Sequence, residues 1–255
     1  MDSIFITGAA SGIGAATAEL FAARGWHVGL ADRDEVGLRA TRARIPSPNA
    51  STHVVDVTDS VSIEQALADF TARTGGRLRV LHNNAGLLAV GSFEELPIAE
   101  HVRIVDVNVT GAIRVLHAAF PYLRGTPGAQ VVNMSSASAV YGTPDFASYS
   151  ASKHAMRALT EALAIEWATH GIDVTDLMPP FVDTPMLTSQ RRASKLVRRL
   201  RVTLGPKDVA AEVLRLVESP TLHRPLTREM QLLWPLARVL PARVTGAVMK
   251  ALAGR

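Results

Sequence analysis

Short apolar segments recur along the first 180 residues, each bounded by glycine or polar turn residues, and this pattern predicts β-strands. The predicted strands are Ile4 to Thr7, His27 to Ala31, His53 to Val57, Val80 to His82, Gln130 to Met134 and Ile172 to Met178. Longer segments with helical periodicity lie between them. Strand alternating with helix predicts an α/β protein with a doubly wound, mostly parallel sheet, helices on both faces and three α/β/α layers. Apolar pairs such as Val54-Val55 suggest strands covered on both faces.

The helical segments have recognisable ends. One runs from about Ile13 to Phe21 before Gly25, and another follows a possible capping box at Ser62 and Gln65. Two longer stretches cover about Ile98 to Leu123 and Ser148 to His170, and Gly171 stands where a helix commonly ends. The C-terminal part shows no readable final strand.

Length and composition predict one domain. The 255 residues are 47% hydrophobic, which suffices for one large core, so we expect a single domain over 1–255, with 187–255 as a variable lid and basic, apolar extension. The chain has no cysteine, and its eight histidines show no ligand spacing, so we expect no metal. Neither a leader nor a membrane-length apolar run is seen, which predicts a cytoplasmic protein.

Charge is distributed unevenly. Residues 1–186 carry 13 Lys and Arg against 19 Asp and Glu, a net −6, whereas residues 187–255 carry 14 against 4, a net +10. The densest basic cluster comprises Arg191, Arg192, Lys195, Arg198, Arg199 and Arg201. Such a cluster suits an anionic substrate, a cofactor phosphate, nucleic acid or a membrane surface, or it is a solvated helix face.

A glycine-rich turn follows the first predicted strand. Thr7 to Gly14 reads G-x-x-x-G-x-G and opens the first helix, where free N–H groups attract a pyrophosphate. Asp32 ends the second strand 18 residues after Gly14, close to the distance at which a carboxylate binds an adenosine ribose. The alternative for Asp32 is a loop aspartate in the polar run that ends at Glu35.

Tyr149 and Lys153 are four residues apart, so a helix places both side chains on one face. A fixed ammonium beside a phenol favours the phenolate, and the pair can then act as a general acid and base. The alternative is an exposed, solvated pair. Lys153 is the first of only four lysines among 27 basic residues, and the next is Lys195.

Six motifs in this order resemble the classical short-chain dehydrogenase/reductase family over residues 3–187. They are Thr7-Gly8-x-x-x-Gly12-x-Gly14, Asp56-Val57, Asn83-Asn84-Ala85-Gly86, Asn108, Asn133-Met134-Ser135-Ser136 and Tyr149 to Lys153. The resemblance implies a Rossmann-type fold and an NAD(P)-dependent oxidoreductase that interconverts an alcohol and a carbonyl by hydride transfer.

The resemblance also implies site residues. Asn108, Ser136, Tyr149 and Lys153 form the catalytic tetrad: Tyr149 carries the proton, Ser136 donates to the substrate oxygen, Lys153 lowers the tyrosine pKa and contacts the ribose, and Asn108 holds a water. Ser135 and Ser138 compete with Ser136, which the 13-residue separation from Tyr149 favours. As lone residues, Asn108 would be an ordinary helix polar residue and Ser136 a strand-end cap. The implied cofactor-binding residues are Gly8, Ser11, Gly12, Ile13, Gly14, Asp32, Arg33, Asp56, Val57, Asn83, Ala85, Gly86, Tyr149, Lys153, Pro179, Val182 and Thr184.

The preferred cofactor follows from two conflicting neighbours. Asp32 would bind both ribose hydroxyls of NAD and repel the 2′-phosphate of NADP, whereas Arg33 would pair with that phosphate. Ser11 occupies the turn position that often carries a basic residue in NADP-preferring relatives. We therefore favour NAD over NADP.

Two departures from the family pattern affect substrate and partners. Pro179-Pro180 replaces the usual Pro-Gly. The C-terminus carries an apolar stripe near Arg243 and Lys250 that would pack in the core, cover a substrate pocket, form a subunit contact or lie on a membrane surface. The stripe comprises Leu232, Leu233, Trp234, Leu236, Val239, Leu240, Val244, Val248 and Leu252.

The expected substrate is a small, apolar alcohol or carbonyl compound, a lipophilic secondary alcohol or ketone, held near apolar residues of the pocket. Those residues are Val90, Phe93, Tyr141, Phe146, Met186 and Leu187. We expect a lid at 187–204, a homodimer or homotetramer, and no nucleic-acid partner, since no recognition motif accompanies the basic tail. The alternative function is a non-catalytic dinucleotide sensor or scaffold whose basic tail binds a partner or a membrane.

Overall fold

A computed structural model describes residues 2–46, 48–190 and 202–253. Within these residues seven parallel strands form one sheet, which confirms the predicted doubly wound fold. The strands are β1 (Ser3–Thr7), β2 (His27–Asp32), β3 (Ala50–Val54), β4 (Val80–Asn83), β5 (Gln130–Met134), β6 (Asp173–Met178) and β7 (His223–Pro225). Their order is β3-β2-β1-β4-β5-β6-β7, so the winding reverses between β1 and β4. Ligands of such sheets bind beyond the carboxyl ends at this reversal.

Helices cover both faces of the sheet. The α-helices are α1 (Gly12–Ala23), α2 (Glu35–Ala43), α3 (Ser60–Ala72), α4 (Ile98–Val105), α5 (Ala112–Arg124), α6 (Ala147–Glu166), α7 (Pro185–Thr188), α8 (Pro206–Glu218), α9 (Arg228–Val239) and α10 (Ala242–Ala253). A π-helix covers Asp106–Gly111, and 3-10 turns cover Ala137–Ala139 and Trp167–His170. Gly171 ends the last of these with φ 69°, the left-handed conformation that favours glycine.

The core has two layers because neighbouring strand residues point to opposite faces. Ile4 and Ile6 of β1 belong to the cluster that includes Phe21 of α1 and Val213 of α8. Phe5, between them, belongs to the opposite cluster with residues of α3 and α5, and its ring centroid lies 5.3 Å from that of Phe70. Each fully buried side chain of this size stabilises the fold by roughly 1.5–3 kcal/mol.

The third strand differs from its prediction. We expected it at His53 to Val57 and covered on both faces, but β3 ends at Val54, whose side chain is 57% exposed. The burial pattern gives the reason: Thr52 and Val54 are exposed whereas Ser51 and His53 are buried, so one face of this edge strand is open to solvent. Asp56 and Val57 therefore stand in the loop after the strand.

The final strand, which the sequence did not reveal, is β7, and it pairs in parallel with β6. Its three residues are His, Arg and Pro, so apolar periodicity could not reveal it. Proline is accepted there because β7 is an edge strand, in which one side needs no ladder donors.

Two helix predictions are also corrected. The stretch from Ile98 to Leu123 is not one α-helix, because the π-helix separates α4 from α5. Helix α3 begins at Ser60, where Asp59 caps it by accepting a hydrogen bond from the Val61 N–H at 3.0 Å. Ser62 is thus inside the helix and does not form the expected capping box.

Membrane-spanning helices and metal-binding clusters are both absent from the described residues. None of their helices combines the length and apolarity needed to cross a membrane. Among the same residues no group of three or more His, Asp or Glu side chains is arranged to hold a metal ion.

Candidate active site

The glycine-rich turn joins the carboxyl end of β1 to the N-terminus of α1. Gly8 and Gly12 have φ values of 72° and 54°, which only glycine adopts without strain. Gly14 is required by packing, because a Cβ atom there would lie 2.1 Å from the Gly8 carbonyl oxygen. The side chain of Ser11 forms no capping hydrogen bond within the described chain, so the first N–H groups of α1 are available to an anion.

Asp32 lies at the carboxyl end of the neighbouring strand β2. Its Oδ2 accepts a hydrogen bond from the Ala10 N–H and its Oδ1 accepts one from the Asp34 N–H, both at 3.0 Å. Asp34 in turn caps α2. Because Asp32 is the last residue of β2 and its carboxylate accepts these two bonds, it is not merely part of a polar loop. The carboxylate is thereby oriented beside the turn and lines the cavity above it.

A smaller cavity of about 200 Å³ extends from Asp32 toward β3. Arg33, Asp56 and Val57 line it, together with Ala85 and other residues of the groove. Asp56 accepts hydrogen bonds from the backbone N–H of Thr58 at 2.9 Å and from its hydroxyl at 2.7 Å. These bonds lower the pKa of the Asp56 carboxyl below its usual value, and burial opposes them.

Tyr149 and Ser136 meet at the other end of the site. Ser136 follows β5 and begins the 3-10 turn, where its Oγ accepts a hydrogen bond from the Ser138 N–H at 3.1 Å. Burial raises the pKa of the Tyr149 phenol to about 12, and its hydrogen bond with the Ser136 side chain acts in the opposite direction. We expected the pKa of Tyr149 to be lowered. The direction is reversed because burial of the phenol has the largest effect in the protein alone.

Lys153 stands one turn after Tyr149 on α6, as the spacing predicted. Its Nζ lies 5.5 Å from the centre of the Tyr149 ring and donates a hydrogen bond to the Met134 carbonyl oxygen at 2.7 Å. Burial lowers the pKa of the Lys153 ammonium to about 8, although the charge of Asp176 opposes this shift. Tyr149 and Lys153 are therefore not an exposed, solvated pair.

Asn108 lies in the π-helix and is tied to the loop after β4. Its Oδ1 accepts a hydrogen bond from the Leu87 N–H at 2.6 Å, and its Nδ2 donates to the Leu87 carbonyl at 2.9 Å. The same Nδ2 donates to the Ser152 hydroxyl at 3.1 Å. Asn108 thus connects the cavity-lining loop to α6 between the positions of Tyr149 and Lys153.

One cavity of about 550 Å³ brings most of the expected residues together. They come from the carboxyl ends of β1 and β2 on one side of the reversal point and from those of β4, β5 and β6 on the other. The expected residues that line it are Gly8, Ser11, Gly12, Ile13, Asp32, Ala85, Gly86, Ser136, Tyr141, Phe146, Tyr149, Lys153, Pro179, Val182, Thr184, Met186 and Leu187.

Two expectations are corrected by position. Asn83 does not face either cavity: its buried Nδ2 donates to the Ala112 carbonyl at 3.1 Å and to Asn133 Oδ1 at 3.3 Å, whereas Asn84 lines the large cavity. Phe93 is 60% exposed and packs on His101 outside the cavity. Val90 lies near the cavity, as expected, because it packs in a cluster with Phe146 and Leu187, which line it.

Pro180 lines the cavity in place of the family glycine. The preceding Pro179 carbonyl accepts a hydrogen bond from the Ala137 N–H at 2.9 Å, which ties the proline pair to the turn after β5. Phe181 follows and its ring lies 5.6 Å from that of Phe146. The proline pair thus continues into the apolar wall of the cavity.

The C-terminal expectations are resolved only in part. The basic cluster from Arg191 to Arg201 and most of the expected lid lie outside the described residues. In the apolar stripe Leu232 and Val239 are each 77% exposed, whereas Trp234 packs on His223 and Arg157. The side chains of Leu233, Leu236, Val248 and Leu252 also lie outside the description.

Three residues of the site were not expected from the sequence. Asn84 donates from Nδ2 to the Thr7 carbonyl at 2.8 Å, and Ser152 links Asn108 to α6. Their signal was present, since each lies within a recognised motif, Asn84 in Asn83 to Gly86 and Ser152 in Tyr149 to Lys153. Met230 of α9 also lines the large cavity, and no local pattern indicated this contact.

Comparison with known proteins agrees with this geometry. Residues 2–195 match the family model described as short chain dehydrogenase. The chain is 30% identical over 215 residues to a cyclohexanol dehydrogenase of Acinetobacter sp. (strain SE19), covering 82% of this chain and 84% of that protein. It is 33% identical over 212 residues to a meso-2,3-butanediol dehydrogenase of Serratia marcescens, with the same two coverages of 82% and 84%.

A solved structure has the same architecture. The 3-ketoacyl-(acyl-carrier-protein) reductase from Brucella melitensis, complexed with NADH, superposes with a TM-score of 0.78 and 28% identity. The match covers 88% of this chain and 96% of that one. Sheet order, site geometry and the family match lead to the same result: the chain belongs to the short-chain dehydrogenase/reductase family of oxidoreductases.

Proposed function

We propose that the protein interconverts a lipophilic secondary alcohol and its ketone with a nicotinamide dinucleotide, with Tyr149 as the general acid and base. The observation that carries the proposal is that Tyr149, Ser136 and Lys153 line the same cavity as the glycine-rich turn and Asp32. A proton carrier and a hydrogen-bond donor thus share one space with a dinucleotide cradle.

The residues fit a dinucleotide on two grounds. The uncapped N-terminus of α1 suits a pyrophosphate, and the oriented Asp32 carboxylate suits a ribose. Thr184 lies opposite the glycine-rich turn in the same cavity: its Cγ2 would be 3.5 Å from a Cβ atom added at Gly12. This position supports a dinucleotide between the two. When bound, the nicotinamide ring supplies the acceptor or donor of the hydride.

The side chains of this protein would handle the substrate oxygen. In reduction the Tyr149 phenol donates its proton to that oxygen, and in oxidation the phenolate accepts it. The Ser136 hydroxyl donates a second hydrogen bond to the same oxygen. The Lys153 ammonium stabilises the phenolate and binds the ribose, while Asn108 orders the loop at Leu87 and a water beside Lys153.

Asp32 makes NAD the favoured cofactor over NADP. Its carboxylate would accept hydrogen bonds from both ribose hydroxyls and would repel a 2′-phosphate. Arg33 lines the adjacent cavity and is the residue that would tolerate NADP. The NADH in the Brucella relative supports this preference.

An apolar substrate is supported by the cavity wall. Phe146, Phe181 and Leu187 form one cluster beside Tyr149, and no charged side chain other than Lys153 and Asp32 lines the large cavity within the described residues. The names of the relatives that act on cyclohexanol and butanediol agree with a small alcohol. Burial of an apolar group against this wall would contribute most of the binding energy.

A homodimer or homotetramer belongs to the same proposal. Three apolar side chains of α4 face outward: Ile98 is 75%, Val102 59% and Val105 43% exposed. Apolar side chains clustered on one helix indicate a contact surface. Light scattering of the protein and of a Val102→Asp variant tests the assembly. Vesicle flotation tests membrane contact through the C-terminal segment.

The decisive experiment compares the protein with its Tyr149→Phe variant. NADH and NADPH oxidation is followed with a panel of ketones, and cofactor binding is measured by fluorescence. We expect turnover with an apolar ketone and a loss of about 10²–10⁴-fold in Tyr149→Phe at unchanged cofactor affinity. Equal turnover in the variant would refute the role of Tyr149. Cofactor binding without turnover in the unaltered protein would instead favour the sensor function.

A further inference from the structure

Helix α9 approaches the active site by its first turn. Thr227 precedes it, and its hydroxyl accepts a hydrogen bond from the Met230 N–H at 3.3 Å while its carbonyl accepts one from the Gln231 N–H at 2.9 Å. The Gln231 amide also donates to the Pro225 carbonyl at 3.2 Å, which ties the helix to β7. This start places Met230 in the wall of the cavity that contains Tyr149.

Trp234 lies one turn after Met230 and therefore on the same face of α9. Its ring packs edge-on against the His223 ring, with centroids 5.5 Å apart and an interplanar angle of 66°. The Arg157 guanidinium carbon lies 5.3 Å from the centre of the same ring. Because Arg157 stands one turn after Lys153 on α6, Trp234 connects α9 to the helix that carries the catalytic pair.

The surface beneath Trp234 consists of buried and partly buried side chains joined by hydrogen bonds and ion pairs. His223 Nδ1 lies 3.1 Å from both carboxylate oxygens of Asp176, and its Nε2 lies 3.1 Å from Glu161 Oε1. Arg157 pairs with Glu161 at 3.3 Å and donates to the Ala139 carbonyl at 2.9 Å. Asp176 is fully buried, and shared hydrogen bonds and ion pairs couple these side chains, so Trp234 packs on a connected charged surface.

The other face of α9 points to solvent. Leu232, midway between Met230 and Trp234 in sequence, is 77% exposed. One face of α9 thus contacts the cavity and the charged surface at His223 and Arg157, and the other face is exposed to water. This difference supplies a matched pair of positions for an experiment.

We propose that α9 is a wall of the substrate pocket, in which Met230 determines the size of the apolar group that is accepted and Trp234 is the positioning residue that holds the wall. The proposal rests on the proposed function, because it assigns the substrate end of the same cavity. Methionine suits this task, since its unbranched, polarisable side chain adapts to ring-shaped apolar groups. The favoured substrates are alicyclic or branched secondary alcohols and the corresponding ketones.

The test uses the full-length protein with NAD⁺ and three alcohols of increasing size: 2-butanol, cyclohexanol and cyclododecanol. Met230→Ala should raise the kcat/KM ratio of cyclododecanol to cyclohexanol about tenfold or more, and Met230→Phe should lower it. An apolar pocket discriminates by roughly tenfold for each methylene group, and Met230→Ala frees the space of about three side-chain atoms for the larger ring. Leu232→Ala is the matched control and should leave the ratio unchanged. An unchanged ratio in both Met230 variants would overturn the proposal.

Trp234 is tested by a change in KM at constant cofactor affinity. Trp234→Ala should raise the KM for cyclohexanol about tenfold, with a smaller change in kcat. The reason is that α9 loses its position against the substrate while the reacting groups stay in place. Trp234→Phe keeps an aromatic ring on His223 and should recover most of the loss. A fall in thermal stability with unchanged KM would show a merely structural residue and would refute the positioning role.

A measurement without turnover separates this inference from the proposed function. Hydrogen exchange of residues 228–234 is followed in the protein with NADH alone and with NADH and cyclohexanol. Slower exchange on addition of cyclohexanol supports the wall even if no alcohol is oxidised. Failure of the proposed function would appear as absent turnover in the unaltered protein, whereas failure of the inference would appear as unchanged exchange in this helix.

Discussion

The Nζ atom of Lys153 donates a hydrogen bond to the carbonyl oxygen of Met134 at 2.7 Å, and this bond joins α6 to the carboxyl end of β5. The same strand end leads to Ser136. The position of the cation relative to Tyr149 is therefore determined by the sheet as well as by the helical spacing.

Replacement of Lys153 by methionine should lower kcat by roughly 10²–10³-fold at pH 7, because the phenolate of Tyr149 loses its neighbouring positive charge. Lys207→Met, at an exposed position in α8, is the control for loss of a cation. Steady-state rates of both variants provide the measurement. A variant at Lys153 as active as the control would contradict the electrostatic role.

The two reaction directions should respond differently to pH. Reduction uses the protonated phenol, and since burial raises the pKa of Tyr149 to about 12, that form persists at neutral and mildly alkaline pH. Oxidation needs the phenolate, so its rate should rise with pH, by at most about tenfold per unit. The rise should weaken above pH 8, because the pKa of Lys153 is lowered to about 8 and its charge is then lost. Initial rates from pH 6 to 10 in both directions test this, and reduction that accelerates with pH would count against it.

Cofactor preference should follow the residue at position 32. Asp32→Ala removes the carboxylate that would repel a 2′-phosphate, so the ratio of kcat/KM for NAD to that for NADP should fall by roughly tenfold or more. Arg33→Ala, at the neighbouring position that lines the smaller cavity, should change the ratio in the opposite direction. If Asp32→Ala leaves the ratio as it was, the assignment of the ribose-binding residue is wrong.

Gly14→Ala should destabilise the protein by roughly 1–3 kcal/mol and weaken cofactor binding. The added Cβ atom would lie 2.1 Å from the Gly8 carbonyl oxygen, so the glycine-rich turn must shift. At Gly142 an added Cβ atom meets no described atom within 4 Å, which makes Gly142→Ala the matched control. Urea unfolding and cofactor titration measure both effects, and equal stability of the two variants would contradict the packing argument.

His223 should make the stability of the protein depend on pH. Burial lowers its pKa, but the hydrogen bonds and charges of Asp176 and Glu161 outweigh burial and raise the pKa of His223 overall, while Arg157 also faces this group. A raised pKa in the folded state means that the protonated imidazole stabilises the fold at low pH. That contribution is lost as pH rises through the folded pKa, above the usual value near 6.5.

The corresponding variant is His223→Gln. It should cost roughly 1–3 kcal/mol at pH 6 and less at pH 9. Unfolding free energies at both pH values, with Leu232→Ala as the control, give the answer. A cost that grows with pH would show that the sign is reversed.

Much of the fold could be predicted from the sequence because its central strands are apolar and short. β1, β2, β5 and β6 were located within one or two residues, since strands covered on both faces carry a continuous apolar signal. The edge strands were misplaced or missed: β3 exposes Val54, and β7 is polar with a proline. The apolar sequence signal is weakest in a strand that pairs with only one neighbouring strand and has one face open to solvent.

The candidate site was predictable where function depends on local spacing. Gly8, Gly12, Tyr149 and Lys153 act within a turn or one helical repeat, and the structure brings them to one cavity. Asn83 was misassigned because neighbouring residues in a motif point to opposite sides of a strand end. Met230 could not be predicted, because its contact depends on how a distant C-terminal helix packs.

The π-helix at Asp106–Gly111 changes the direction in which side chains point between α4 and α5. A π turn contains one residue more than an α turn, and one residue corresponds to a rotation of about 100° around the helix axis. Asn108 can therefore face Leu87 and α6 while Val115 and Leu116 of the following helix still face the core. Loss of one residue here would keep the helix continuous but turn either the amide or the apolar stripe away from its partner. The wider turn thus lets one segment place Asn108 at the candidate site and its apolar stripe in the core.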